Sequence, residues 1–297
     1  MIFASKYYFF NTYTGATELQ AGTLSFNSIG NIGGGPSALG APTTLENGII
    51  RVGYATAATA LTYTGSGHST NRIIEMQGTT GGVTINSAGT GGLALSTIRG
   101  GNGGAKTLTL DGSSTGFENS AALITECAAT LSVVKSGASA WVLTGTNSYT
   151  GTTTVNEGVL RLATGQALSG AFQFGSSNTI ATAGTLVVQQ DSSFGSFLAQ
   201  TDSATNTSTL SIDSGKTLTI NGTFVIGNNR GASTNTLLNS AGGGALVVTN
   251  PAINGVFAVG GTTSSSSQGN KAIADFSLLS SLSVSLDPPP AAPGHRR

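Results

Sequence analysis

A chain of 297 residues with 44 glycines, 8% charged residues and no formal net charge suits strands and tight turns better than helices, whose surfaces need the Glu, Lys and Arg that are scarce here. The 12 basic and 12 acidic residues are scattered singly from Lys6 to Arg297, which excludes the positive stripe a nucleic-acid partner requires. One cysteine, Cys127, excludes an internal disulfide and a multi-cysteine zinc site, and beside Ala128 and Ala129 it reads as a small buried hydrophobe.

Ser and Thr make up about a quarter of the chain and the hydrophobic share is 38%, low for a globular core but too regularly spaced for a disordered chain. A thin, elongated core reconciles the two. No apolar run reaches the roughly 18 residues that cross a membrane as a helix. Met1 to Phe10 places its one cation, Lys6, after the first apolar residues, so it is not a recognisable secretory signal and reads as an irregular lead-in.

From there short segments with apolar residues two apart follow one another: 23–26, 82–85, 106–110, 130–134, 158–162, 185–188, 209–212, 216–220 and 245–249. That spacing places the apolar residues on one face of a strand, and Gly, Asn, Asp and Ser supply the turns between strands. Gly-rich stretches at 30–35 and 100–104 are expected to bulge from the edges. After Leu286 the composition changes to Asp287-Pro-Pro-Pro-Ala-Ala-Pro-Gly-His-Arg-Arg297, a solvated tail in which His295, Arg296 and Arg297 face water.

Two internal matches order these segments into repeats. Asn11 to Leu24 aligns without a gap to Asn147 to Leu160, 136 residues later, with seven of fourteen positions identical, and Lys106 to Gly112 matches Lys216 to Gly222 at five of seven. Repeated strand-turn-strand units predict stacked rungs, each burying one apolar row and pairing its backbone with the rungs on either side. In the fuller copy Gly145, Gly151 and Gly158 mark turns, and Asn147 and Asn156 are placed to bond their own backbone. Leu143, Val155, Val159 and Leu160 fill the interior, and Trp141 and Tyr149 pack against neighbouring rungs.

The pattern Trp-x-Leu-Thr-Gly-x-Asn-x-Tyr-Thr-Gly-x-Thr-x-Val-x-x-Gly-x-Leu over 141–160, followed by Ala167-Leu168, resembles the autotransporter passenger-associated strand repeat, with a partial copy over 11–40 ending in Ala38-Leu39. The resemblance implies an all-β, right-handed single-stranded parallel β-helix (a β-solenoid) over 11–286, exposed at a bacterial surface by the type V route. It implies structural display or adhesion towards surface glycans or proteins of a host or neighbouring cell, with no cofactor and no membrane insertion by this chain. The missing signal and barrel strands make the chain read as a fragment of a longer protein. Tyr7 to Phe10 shows no polar cap for the first rung, which agrees with that reading.

Enzymatic readings find little in the residues. Gly100-Gly-Asn-Gly-Gly-Ala105 resembles a calcium nonapeptide, but alanine stands where the carboxylate belongs. Gly215-Lys-Thr217 lacks the first glycine of a phosphate loop, Leu210 standing there, and precedes a strand. Ser132-x-x-Lys135 has no companion motif. His68 lies in what reads as a flexible Gly-Ser loop. A β-helical polysaccharide lyase or hydrolase is the alternative function, and its one hint is Asp191, Asp202 and Asp213, spaced eleven apart. Asp191 precedes Ser-Ser and Asp213 precedes Ser-Gly-Lys, both ordinary turn contexts, so no catalytic and no metal-binding residue is assigned.

Overall fold

The computed structural model describes residues 10–101, 103–126, 128–175, 183–200, 207–227, 235–250, 256–260 and 271–286. Their strands assemble into three parallel sheets, and the chain winds from sheet to sheet as a parallel β-helix. Sheet I has 11 strands: Thr17–Leu19, Ile50–Val52, Ser66–Met76, Gly91–Gly100, Glu118–Thr125, Ala140–Leu143, Glu157–Leu162, Ala183–Val188, Thr207–Ile212, Asn235–Ala241 and Lys271–Asp275. Sheet II has 10: Gly22–Phe26, Thr59–Tyr63, Val83–Ser87, Lys106–Gly112, Leu131–Lys135, Thr153–Val155, Ala171–Phe174, Ser196–Ala199, Phe224–Ile226 and Phe257–Val259. Sheet III, with Ser192–Phe194, Thr217–Ile220, Ala245–Asn250 and Ser281–Leu286, exists only in the later rungs, inserted between I and II. All nine strands expected from the spacing are present.

Alternation decides what is buried. In Lys106–Gly112 every second residue from Lys106 is buried, and the same pattern marks Thr59–Tyr63, Val83–Ser87 and Leu131–Lys135. Parallel in-register pairing then stacks like on like. Ile50, Ile74, Ile98 and Ile124 form one column, and Leu160, Leu186 and Leu210 another, all buried. In sheet II the later rungs stack rings instead: Phe197 and Phe224 at 4.5 Å and 11°, Phe224 and Phe257 at 5.0 Å and 9°. Those distances are the strand spacing of a sheet, so the backbone ladder itself holds the rings in contact.

The 23-residue excursion between Phe26 and Ile50 carries the one helix among the described residues, Leu45–Gly48, with Thr44 as its cap. It is tied down by Arg72, a fully buried cation whose guanidinium donates to Gly48 O at 2.8 Å, Leu39 O at 2.5 Å and Thr17 Oγ1 at 3.1 Å. Three oxygen partners compensate the charge that burial would otherwise penalise. Arg72 reaches inward where the pairing of Ser66–Met76 with Gly91–Gly100 shifts register between Thr70 and Ile73.

Several expectations are corrected. The described glycines of the stretch at 100–104 do not bulge: Gly100 ends a strand, and Gly103 and Gly104 lie so close to Thr79 and Thr80 of the preceding turn that a Cβ on either would fall 2.9 Å from a threonine atom. His68 is not in a loop but on Ser66–Met76, paired with Leu93. The glycines around it suit a strand here because Tyr63 Oη bonds both Gly67 N and His68 Nδ1, each at 2.7 Å. Cys127, Asp202, the lead-in before Phe10 and the tail at 287–297 lie outside the described residues.

Candidate functional site

The two copies of the repeat build the same corner at different places on the solenoid. In the first, Thr17–Leu19 lies in sheet I and Gly22–Phe26 in sheet II; in the second, Thr153–Val155 lies in sheet II and Glu157–Leu162 in sheet I. The chain turns at Gly22 and Gly158, with φ of +82° and +70°, a region open to glycine and costly for other residues. A tyrosine ahead of each strand pins it: Tyr13 Oη lies 2.9 Å from Thr17 Oγ1, and Tyr149 Oη lies 2.8 Å from Thr153 Oγ1.

Around the second copy the polar groups bond between rungs. Trp141 is fully buried and its indole donates to Asp111 O at 3.1 Å, one rung back. Asn147 Oδ1 accepts from Ile124 N at 2.6 Å, while its Nδ2 donates to Gly145 O and to Gln166 Oε1. Leu143, Val155 and Leu160 are buried as expected. Val159 is not, because the turn at Gly158 sets the phase of the strand so that Leu160 and Leu162 point inward. Asn156 Oδ1 has no partner, so it does not bond its own backbone as Asn147 does.

The chemistry-bearing residues are dispersed. Asp191 accepts from Thr217 N at 2.8 Å, and the Asp213 carbonyl accepts from Lys216 N at 3.0 Å. Both stand at the corner from sheet I to sheet III, but two positions out of register: Val188 pairs with Ile212, which sets Asp213 beside Gln189, while Asp191 sits beside Thr217. Asp191 and Asp213 are therefore not direct register partners. An open groove of about 380 Å³ runs past Gln166, Asp191, Ser193 and Thr217. Lys216 Nζ bonds Gln190 Oε1 at 3.0 Å in a turn that leads into a strand. Ser132 and Lys135 point to opposite sides of their strand, as an odd spacing of three must. Among the described residues no group of three or more His, Cys, Asp or Glu side chains is placed to hold a metal ion.

Sequence reasoning missed Lys135, whose side chain is fully buried although its strand neighbours read as an ordinary apolar row. Its ammonium donates to Ser136 O at 2.6 Å, Gly137 O at 2.5 Å and Glu157 O at 3.0 Å. Burial pushes its pKa down to about 8, against the opposing pull of Asp111 and Glu157. The only sequence signal was a cation in an inward position of the alternation. A side chain that closes a corner through three carbonyls has no amine free for chemistry.

Comparison with known proteins bears on these corners. The sequence family described as Passenger-associated-transport-repeat matches residues 10–26 and 133–162, the two stretches that contain the paired tyrosines, Gly22 and Gly158. The chain carries autotransporter passenger-associated repeats. The longer match runs from sheet II through sheet I, back to sheet II at Thr153–Val155 and on to Leu162, so it spans more than one complete turn. A stretch of 64 residues is 53% identical to the adhesin BmaC autotransporter of Brucella suis biovar 1 (strain 1330), covering 21% of this chain and 2% of that protein. This chain thus matches a very small part of that relative's length. No solved structure matches the chain. No helix among the described residues is long and apolar enough to cross a membrane.

Proposed function

We propose that this chain is a non-catalytic passenger segment displayed at a bacterial cell surface, where a stiff β-helical rod presents its corners and outer faces for adhesion. The observation that carries this reading is the passenger repeat itself, which folds here into the corners of a continuous ladder. The adhesin relative supports the adhesive half of the reading. Two physical features agree with display. Among the described residues the buried apolar side chains from Phe26 to Val248 form one cluster along the rod, which holds it together. Outside, sheet I carries a row of Glu18, Arg51, Glu75 and Arg99 in register, with Arg51 bonded to Glu18 and Glu46, and Arg99 to Glu75. Mutual pairing leaves this face with little long-range field, so recognition there rests on shape and hydrogen bonds rather than on charge steering.

The test is direct. Beads coated with the purified chain are expected to adhere to epithelial cells and to cells of other bacteria more than albumin-coated beads do; equal retention on every surface refutes adhesion. Turnover of acidic or neutral polysaccharides that disappears in Asp191→Ala or Asp213→Ala would overturn the non-catalytic reading in favour of a lyase or hydrolase.

A further inference from the structure

Near the start of the rod, the corners of three consecutive rungs enclose an open groove of about 400 Å³ between sheets I and II, near the small end of the roughly 300–1,000 Å³ typical of small-ligand sites. Tyr54 stands over it at 67% exposure, the highest among the exposed large hydrophobics of the described residues. The ring is held out by its turn. Gly53 has φ of +97° and Ala55 a φ of +48°, a left-handed conformation that a non-glycine residue rarely adopts. That turn is fixed on both sides: Ala57 N donates to Tyr54 O at 3.0 Å, and Ala55 O accepts from Thr79 N at 2.7 Å and from Thr80 N at 3.3 Å. Behind it Gly78 approaches so closely that a Cβ there would lie 2.9 Å from Ala55 O. Strain held by such a tight frame keeps a large aromatic face in water, where packing alone would not put it.

Around the ring the groove offers planar or hydroxyl groups: the amides of Gln20 and Gln77, the guanidinium of Arg51, the hydroxyl of Thr79 and the carboxylate of Glu18. Amides and hydroxyls both donate and accept, as the hydroxyls of a sugar do, and an aromatic face accepts the apolar C–H face of a pyranose. The charges discriminate between sugars. Glu18 and Arg51, the two charged side chains that line the groove, are paired with each other, and Arg51 is bonded by Glu46 as well, so the groove offers an acidic sugar no free cation and favours neutral ones.

We propose that this groove is a binding subsite for neutral glycans, with Tyr54 as the stacking platform and Gln20, Gln77, Arg51 and Glu18 as the hydroxyl-binding rim. The inference rests on the adhesion reading and names its ligand class.

The test is an array of glycans ending in neutral hexoses and N-acetylhexosamines, printed beside sialylated and sulfated ones, probed with the full chain and followed by titration with the best neutral ligand. Binding is expected to neutral glycans, about tenfold weaker in Tyr54→Ala, with an unchanged melting temperature, and retained in Tyr54→Trp. Should Tyr54→Ala melt lower, Gln20→Trp, at an exposed position that fills the groove, carries the same test. Failure of the parent chain to bind any neutral glycan, binding confined to acidic ones, or unchanged binding after both Tyr54→Ala and Gln20→Trp overturns the proposal. Adhesion of coated beads separates the two readings: beads that adhere equally with and without Tyr54 sink the groove alone, whereas a parent chain that binds glycans but fails to adhere sinks adhesion alone.

Discussion

Replacing Gly158 and Gly22 by alanine, one at a time, sets the same repeat position against two different surroundings. Both residues are left-handed, at φ +70° and +82°, so each alanine pays about 1–2 kcal/mol for its backbone conformation. At Gly22 the new methyl meets nothing within 4 Å. At Gly158 it would stand 2.5 Å from Gly137 O and 2.6 Å from Ser139 O, two backbone atoms of the preceding corner. Those carbonyls cannot swing aside as a side chain could, so the ladder between Ala140–Leu143 and Glu157–Leu162 must shift, which adds about 1–3 kcal/mol. The expected losses are therefore ~1–2 kcal/mol for Gly22→Ala and ~2–5 kcal/mol for Gly158→Ala. Because a solenoid can open rung by rung, the assay is hydrogen exchange read at the amides paired with each site, together with urea unfolding. Equal losses at the two positions, or a neutral Gly158→Ala, would refute the reasoning that the neighbouring rung, and not the repeat, sets the cost.

Phe224→Ala, in the middle of the stacked rings, is expected to cost about 3–5 kcal/mol, seen as lost protection in Ser196–Ala199 and Phe257–Val259; protection that stays at the parent level would remove the stack from the account. Tyr149→Phe strands a buried Thr153 hydroxyl and is expected to lower stability by about 1–3 kcal/mol. Tyr13→Phe should be near neutral by thermal melting, since Tyr13 is 41% exposed and Thr17 keeps its bond from Arg72. For Lys135 the pKa falls from 10.5 in the unfolded chain to about 8 in the fold. Between those values the unfolded chain binds more protons, so stability rises with pH, by an amount on the order of 3 kcal/mol at most. The rise is best measured from pH 7.5 to 9.5, since buried Tyr149, its pKa raised by burial, withdraws stability above about pH 10. Lys135→Met should lose most of that slope, keeping the part due to Lys106, which burial also lowers; an unchanged slope would refute the assignment.

Alternation and internal repetition carried the architecture. Apolar residues two apart, as in Lys106–Gly112 and Thr207–Ile212, suit a one-sided core as strands, and the internal repeats pointed to stacked rungs, while the parallel β-helix itself was what the resemblance to the passenger repeat implied. The passenger repeat was legible for the same reason, since its glycines, tyrosines and Thr residues serve a local corner that each copy builds for itself. What the sequence left open depends on phase around the rod. Matching strands occupy different sides, Lys106–Gly112 in sheet II and Thr217–Ile220 in sheet III, because insertions of varying length rotate each copy to another corner. That rotation put Asp191 and Asp213 out of register, buried Lys135 and Arg72 against carbonyls from other rungs, and gathered Glu18, Arg51, Tyr54 and Gln77 from three turns into one groove. A local pattern fixes which way a side chain alternates, but its neighbours lie about 20 to 30 residues away along the chain, and only the closed ladder decides which of them it meets.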